Sequence, residues 1–512
     1  MSSAPPSVPT ILHALRGAAE QHPEQQALVC RGRELSYAQL ARAALALGER
    51  LRARGAGGGQ RVIVSLPTSI EAVVAVLGVL AAGAQVAPVN PFFTSAELAA
   101  MLPEVDARLA IVGAEASEKL AALAPALGLG EPLRFGPGPG GLTLEALLGA
   151  GTPAWPPLPE PDALALAIFT GGTTGVPKAV EHSHAALMVG VLQHCSVWPL
   201  RRGAERFLSA APIFHVWGLC YATLVPLYLA GTLVLVPRFD ADEVLATLAA
   251  ERIGVFCGGP APVYLSLMQS ARFAGTDFSS LAYCLTGGAP CPRELCERWR
   301  AATGCALLEG WGMSEAAPLC LSRPGSTKPT SVGRPVPHTE LQIVDLETGA
   351  RVLSAGEPGE VRVRGPQLMR GYRGRPADTA EALRDGWLHT GDIGYLDADG
   401  DLFLVDRKKD MIIVGGYNVY PRTVDEVLYR HPAIAEAATV GRHDARLGEV
   451  LVAFVVLAPG ASLDEAGLLE FCARELVKYR RPVAVTFLPA LPRTNARKVD
   501  RRALRELARG AA

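Results

Sequence analysis

A chain of 512 residues, 49% of them hydrophobic, can bury a large core and has room for more than one domain. A formal net charge of −1, with no basic stripe interleaved with aromatics, argues against nucleic-acid binding. Ten cysteines are scattered without a C-x-x-C pair, which fits reduced thiols in a cytoplasmic protein better than a disulfide framework or a zinc site. Cys291 and Cys296 read as helix-surface or core thiols.

No apolar segment marks the N-terminus, Met1 to Pro9, as a secretory signal. Helical apolar spacing over 37–54 leads to a glycine cluster at 55–59. That cluster precedes the strand expected at 61–66 instead of following one, so it reads as a turn and not as a nucleotide loop. Helix is expected at 70–82 and 95–102, and strand at 85–89 and 108–112. This alternation predicts βαβ units and an α/β fold with mainly parallel sheets. A glycine/proline loop follows at 136–141, and the proline-rich stretch 153–161 reads as a stiff linker between two α/β lobes.

Residues 208–237 carry no Asp, Glu, Lys or Arg and are numerous enough to span a bilayer as one helix. Pro212, Gly218, Pro226 and Gly231 interrupt them, and 232–236 has strand character. A buried helix followed by a buried strand is expected there, with no transmembrane helix.

Several stretches carry candidate chemistry. The run Phe169-Thr170-Gly171-Gly172-Thr173-Thr174-Gly175-Val176-Pro177-Lys178 follows an apolar strand. Its glycines let backbone N–H groups face a ligand, its hydroxyls add donors, and Lys178 adds a mobile positive charge. A polyphosphate suits these groups, although Walker A spacing is absent and an ordinary surface turn shares the composition. His215 and Trp217 lie in an apolar, aromatic run. Gly288, Ala289 and Pro290 form a tight turn after an expected strand, where a flat ring could lie on backbone. Glu309-Gly310-Trp311-Gly312-Met313-Ser314-Glu315 reads as a loop with a stacking indole and a carboxylate suited to a hard cation. Asp392, in a glycine-bounded turn, suits a ribose diol. Arg407 and Lys409 lie in a charged cluster, Gly415-Gly416 form a double-glycine turn, and Lys498 sits in a loop before a final helix.

In their order and spacing these stretches resemble the adenylate-forming superfamily of acyl-CoA synthetases, nonribosomal adenylation domains and luciferases, most nearly its fatty-acyl and aryl-CoA ligases. The resemblance runs from about Leu35 to Arg505. It implies a large N-terminal domain, 1–406, and a small mobile α+β domain, 407–512. It also implies a two-step reaction. A carboxylate attacks the α-phosphate of ATP and expels pyrophosphate, and a thiol, usually that of coenzyme A, then displaces AMP.

Carried over by resemblance, Thr170 to Lys178 hold the β- and γ-phosphates, while Thr174 and Glu315 position Mg²⁺. Gly288, Ala289 and Pro290 line the adenine site, with Glu309 to Ser314 beside them and Trp311 stacking on the purine. Asp392 and Arg407 hold the ribose. Lys498 bridges carboxylate and α-phosphate, Lys409 is the hinge, and Gly415 and Gly416 line the pantetheine tunnel. His215 is placed near the carboxylate end of the acyl pocket. The implied partners are an apolar carboxylic acid, ATP and CoA, with monomer and homodimer both open. An amine or a carrier-protein thiol is the alternative acceptor. Three positions depart from the family pattern: Ala179 and Arg497 stand where glycines are usual, and Thr423 where a glutamate is.

Overall fold

The computed structural model describes residues 9–136, 140–151, 153–170, 177–289, 291–326, 328–494 and 498–510. Contacts divide the chain into two compact units, one of 1–340 with 364–386 and one of 341–363 with 387–512. The second unit thus holds the expected C-terminal region together with 341–363 and 387–406.

Two sheets build the first unit. In the seven-stranded sheet, Leu133–Arg134, Leu109–Val112, Arg61–Ser65, Gln85–Pro88 and Leu164–Phe169 run parallel, in that spatial order. Ala179–Ser183 and then Gly371–Tyr372 add on antiparallel. The nine-stranded sheet has a parallel centre of Gln26–Cys30, Thr232–Leu235, Arg206–Ser209, Val255–Gly259, Tyr283–Gly287 and Leu307–Met313, with antiparallel strands at both edges. The central strands are buried along most of their length, as strands covered on both faces must be.

The predicted alternation is therefore present, with helices Tyr37–Ala53, Ile70–Ala81 and Ser95–Met101 where the apolar spacing put them. A capping box between Ser36 and Gln39 starts the first of these. The linker expectation fails, however. Strands on both sides of 153–161 belong to the same sheet, and Gln26–Cys30, far upstream, pairs with Thr232–Leu235 in the other. Residues 208–237 split into the end of a strand, a π-helical turn at Trp217–Tyr221, the helix Leu224–Leu229 and the strand Thr232–Leu235. Among the described residues no helix is long and apolar enough to cross a membrane.

In the second unit, Glu340–Val344, Gly359–Arg364, Trp387–Leu396 and Leu402–Arg407 form a small sheet. A second sheet orders Tyr417–Val419, Ile412–Val414, Gly448–Leu457 and Ile434–Asp444, with Ala484–Phe487 parallel to Gly448–Leu457. Alternate residues of its long strand serve two cores. Leu451, Ala453 and Val455 pack with Val424, Leu428, Leu468 and Cys472, while Val452 and Phe454 pack with Leu504 and Ala508. Helices cover both faces, which is an α+β arrangement.

Helices Tyr37–Ala53 and Ile70–Ala81 approach closely at Gly78, where a Cβ would lie 2.7 Å from Leu47 side-chain atoms. Gly78→Leu is therefore expected to destabilise the protein by about 1–3 kcal/mol through overpacking. Gly17→Ala, in a helix where an added Cβ meets nothing within 4 Å, is expected to be neutral or stabilising by up to about 1 kcal/mol. Denaturant midpoints of the two variants check both.

Candidate functional site

The strands Leu164–Phe169 and Ala179–Ser183 pair with Phe169 opposite Ala179, so the loop between them is closed at its base. The Thr170 amide donates to the Lys178 carbonyl at 2.9 Å, and the Lys178 amide donates to Thr170 Oγ1 at 3.2 Å. Gly171, Gly172, Thr173, Thr174 and Gly175 lie outside the described residues, as do Pro290 and Arg497.

Lys178 Nζ is 2.7 Å from Asp378 Oδ1 and 4.8 Å from the centre of the Tyr372 ring. Tyr372, opposite Val180 in the antiparallel edge, donates its hydroxyl to Glu315 Oε1 at 2.6 Å. Glu315 is buried, and its backbone carbonyl accepts from the Met369 amide at 2.8 Å. Lys178, itself bonded to Thr170, is thus linked to Glu315 through Tyr372 and held by Asp378, two residues with no mark in the sequence pattern. The hydrogen bond from Lys178 holds the Asp378 carboxyl below its usual range. Ser314 is fixed from the other side, its carbonyl accepting from His182 Nε2 at 2.7 Å. Burial lowers the pKa of that histidine, so it is a neutral donor.

A second group of candidates lies at the carboxyl ends of parallel strands, where α/β sheets offer room for ligands. Tyr283–Gly287 ends just before Gly288, whose φ of +77° suits only glycine well. Gly288 is exposed and Ala289 partly so. The expected loop from Glu309 is instead strand as far as Met313, paired with Ala316–Leu321 through an irregularity between Trp311 and Met313. Packing explains the glycines here: a Cβ on Gly310 would lie 3.0 Å from the Leu321 side chain and 3.5 Å from the Trp217 ring, and one on Gly287 would lie 2.5 Å from the Gly310 carbonyl and 3.1 Å from the same ring. The ring of Trp217 therefore rests over both strand ends. Trp311 and Glu309 are each only 7% exposed, so the indole is buried within the sheet and not open on a loop. His215 Nδ1 accepts from the Trp217 amide at 3.3 Å, which leaves the proton of a neutral ring on Nε2.

In the second unit Asp392 and Arg407 sit opposite each other in neighbouring strands. Arg407 Nε donates to Asp392 Oδ1 at 2.7 Å, and Asp392 is buried. Lys498, whose carbonyl accepts from the Thr494 amide at 2.8 Å, feels the charges of Arg407, Asp392 and Lys409. It keeps exposed surface. Even so, desolvation of its ammonium and then the positive charge of Arg407 pull its pKa below the ordinary lysine value, against the pull of Asp392. Desolvation and Arg407 lower Lys409 in the same way. One buried carboxylate therefore faces three cations, an excess of positive charge suited to an anionic ligand. Lys409 lies in the short 3₁₀ turn Lys408–Asp410, where Lys408 pairs with Glu360 at 3.0 Å and Asp410 pairs with Arg505. Gly415 and Gly416 make the two-residue turn between Ile412–Val414 and Tyr417–Val419, with φ of +56° and +86°. A hairpin turn of that form requires positive φ at both positions.

A model of the AMP-binding enzyme family matches residues 15–373, and that of the AMP-binding enzyme C-terminal domain matches residues 423–498. The chain belongs to this family. It is 34% identical to the long-chain-fatty-acid–CoA ligase of Bacillus subtilis (strain 168), over 97% of this chain and 94% of that one. It is 36% identical to the feruloyl-CoA synthase of an Amycolatopsis species, over 94% of this chain and 95% of the other. The structure of ATP-bound MatB from Rhodopseudomonas palustris matches with a TM-score of 0.91 at 30% identity, covering 98% of this chain and 99% of that one. The expected kinship with adenylate-forming enzymes is thereby established, and with it an AMP-forming enzyme of the acyl-CoA synthetase type.

For an AMP-binding enzyme the Lys178–Asp378 pair has a consequence, because phosphate oxygens and Asp378 would compete for one ammonium. Asp378→Asn is expected to lower the ATP concentration for half-maximal rate by about two- to fivefold, the range of a partly exposed ion pair. Glu315→Gln should raise it instead. Titrations of pyrophosphate release against ATP check the two directions.

Proposed function

We propose that the protein is an ATP-dependent carboxylic acid–CoA ligase acting on a fatty or other apolar acid, in two half-reactions. A carboxylate becomes a good electrophile only once one of its oxygens belongs to a good leaving group, and AMP is that group. The observation that carries the reading is the cluster of Lys498, Arg407 and Lys409 around Asp392.

In adenylation the substrate carboxylate attacks the α-phosphorus of ATP in line with the departing pyrophosphate. Lys498 stabilises the charge gathering on the carboxylate and α-phosphate oxygens, and its crowded, depressed ammonium gains most when an anion arrives. Thr170 and the loop through Lys178 hold the β- and γ-phosphates that leave. Asp392 accepts from the ribose hydroxyls, with Arg407 fixing its orientation. Gly288, Ala289 and Pro290 line the adenine face.

For Mg²⁺ the fit rests on Glu315, a buried carboxylate with one oxygen committed to Tyr372; Thr174, the other expected ligand, lies outside the described residues. Among the described residues no group of three or more His, Cys, Asp or Glu is set to hold a metal. Magnesium bound by one carboxylate, a hydroxyl and substrate phosphates needs no such group. When bound, the ion offsets negative charge on the leaving pyrophosphate.

The second half-reaction uses the C-terminal domain, 407–512, turning about Lys409 to withdraw Lys498 and present Gly415 and Gly416 to the pantetheine arm. The CoA thiolate then attacks the acyl carbon and AMP leaves. His215 and Trp217 border the carboxylate end of the acyl pocket. The free thiols and the CoA and ATP requirement make the cytoplasm the fitting compartment.

Lys498→Ala is expected to reduce acyl-adenylate formation by about 10²–10³-fold or more while largely sparing CoA transfer from preformed acyl-AMP. Pyrophosphate release across fatty, aromatic and dicarboxylic acids, with products resolved when CoA or an amine is offered, identifies acid and acceptor. An amide without thioester would overturn the CoA assignment. Equal loss of both half-reactions in Lys498→Ala would overturn the role of the lysine.

A further inference from the structure

Four of the ten cysteines gather in one part of the nine-stranded sheet's core. Cys284, Cys291 and Cys305 are buried there, and the partly exposed Cys296 packs against them. Cys291 and Cys296 stand apart from the other two. Their sulfurs are 3.3 Å apart, with Cys291 fully buried and Cys296 partly open to solvent on the first turns of helix Arg293–Thr303. A disulfide bond is about 2.05 Å long, so the sulfurs must close by only about 1.2 Å. Cys296 is the thiol that a dissolved oxidant can reach, and Cys291 is the one positioned behind it to resolve a first adduct.

The place of Cys291 in the chain gives this closeness a consequence. It directly follows Gly288-Ala289-Pro290. Glu309, in the next strand, is near enough for its charge to act on the Cys291 thiol. Cys291 is buried in the core shortly after the described turn residues Gly288 and Ala289, in the same cluster as Leu295 and Trp299 of helix Arg293–Thr303. A covalent tie from Cys291 to the helix shifts the turn, because a close-packed core takes up a displacement of this size by moving its surface.

We infer that Cys291 and Cys296 form a reversible dithiol–disulfide pair that lowers affinity for ATP when oxidised. The effect on ATP rests on the reading of Gly288–Pro290 as the adenine-lining turn. The oxidant class is a low-molecular-weight disulfide such as oxidised glutathione. The Cys296 thiolate attacks one glutathione sulfur and expels one glutathione thiolate, giving a mixed disulfide. Cys291, giving up its proton, attacks the Cys296 sulfur and expels the second. Two protein thiols and one glutathione disulfide become one protein disulfide and two glutathione thiols, so atoms and electrons balance.

The test equilibrates the full-length protein in glutathione buffers from reducing to oxidising. The expected result is a 291–296 peptide lighter by two hydrogens, and a half-saturating ATP concentration in pyrophosphate release raised by about threefold or more. Both changes should reverse with dithiothreitol, and both should be absent in Cys296→Ser, which keeps the reduced enzyme's activity. A peptide that retains both thiols overturns the pair, and so does a bridge that leaves the ATP dependence unchanged. If the reduced protein releases no pyrophosphate with any acid, the proposed function fails instead, and the peptide map still decides whether the bond forms.

Discussion

Everything proposed for this chain depends on how it holds positive charge ready for a highly charged anion. In the second unit the arrangement is frugal, with one buried carboxylate, Asp392, set against Arg407, Lys409 and Lys498. Desolvation first, and then like charges brought together, disfavour the charged forms, and the lowered lysine pKa values express that cost. An anion among them relieves it, so strain carried by the protein alone becomes affinity for the ligand. In the first unit the device is different. Lys178 is held by Asp378, a carboxylate it shares with Arg375 at 3.5 Å, with the Tyr372 ring beneath it. There the proposed phosphate ligand would have to take the lysine from a carboxylate, which would temper affinity instead of raising it. A polyphosphate that leaves as product has to be released as well as gripped.

The hydrogen bonds of the sheets make these placements possible. Asp392 meets Arg407 because Trp387–Leu396 and Leu402–Arg407 are in one register, and a shift of one residue would turn one of the two to the opposite face. Tyr372 reaches Glu315 because Gly371–Tyr372 pairs with Ala179–Ser183, the strand that follows Lys178. Distant segments are thus held to within a hydrogen bond by backbone geometry, and the side chains need little freedom of their own.

This explains which parts were legible in the sequence. The succession of apolar runs of strand and helix length made the parallel sheets legible, since 61–65, 70–81 and 85–88 are buried almost throughout, as such runs should be. Lys178, Asp392 and Lys498 stand out in the sequence because glycine turns and family motifs flank them. Tyr372 and Asp378 do not, because their importance arises from pairing across nearly two hundred residues and leaves no local mark. The linker at 153–161 was misread for the same reason: composition reports stiffness but not which sheet the next strand joins. The loop expected from Glu309 was misread because Gly310 looked like a turn former. Its real constraint is packing, since a Cβ there would lie 3.0 Å from the Leu321 side chain with the Trp217 ring next beyond it.

The departures from the family pattern can be weighed the same way. Ala179 is buried in a strand beside Phe169, where its methyl group joins the core and leaves the loop base hydrogen bonds intact. Thr423 returns its hydroxyl to the Tyr420 carbonyl at 2.8 Å, within the first turn of helix Pro421–Leu428. The ion pair of that helix is made two residues later, where Arg501 Nη2 donates to Asp425 Oδ2 at 2.6 Å. Burial pushes the Asp425 carboxyl up to about 6, with Arg501 opposing, so this pair fixes helix Arg501–Gly510 against Pro421–Leu428 more by matching partners than by net electrostatic gain. The loss of a glutamate at 423 is thus answered inside the same unit.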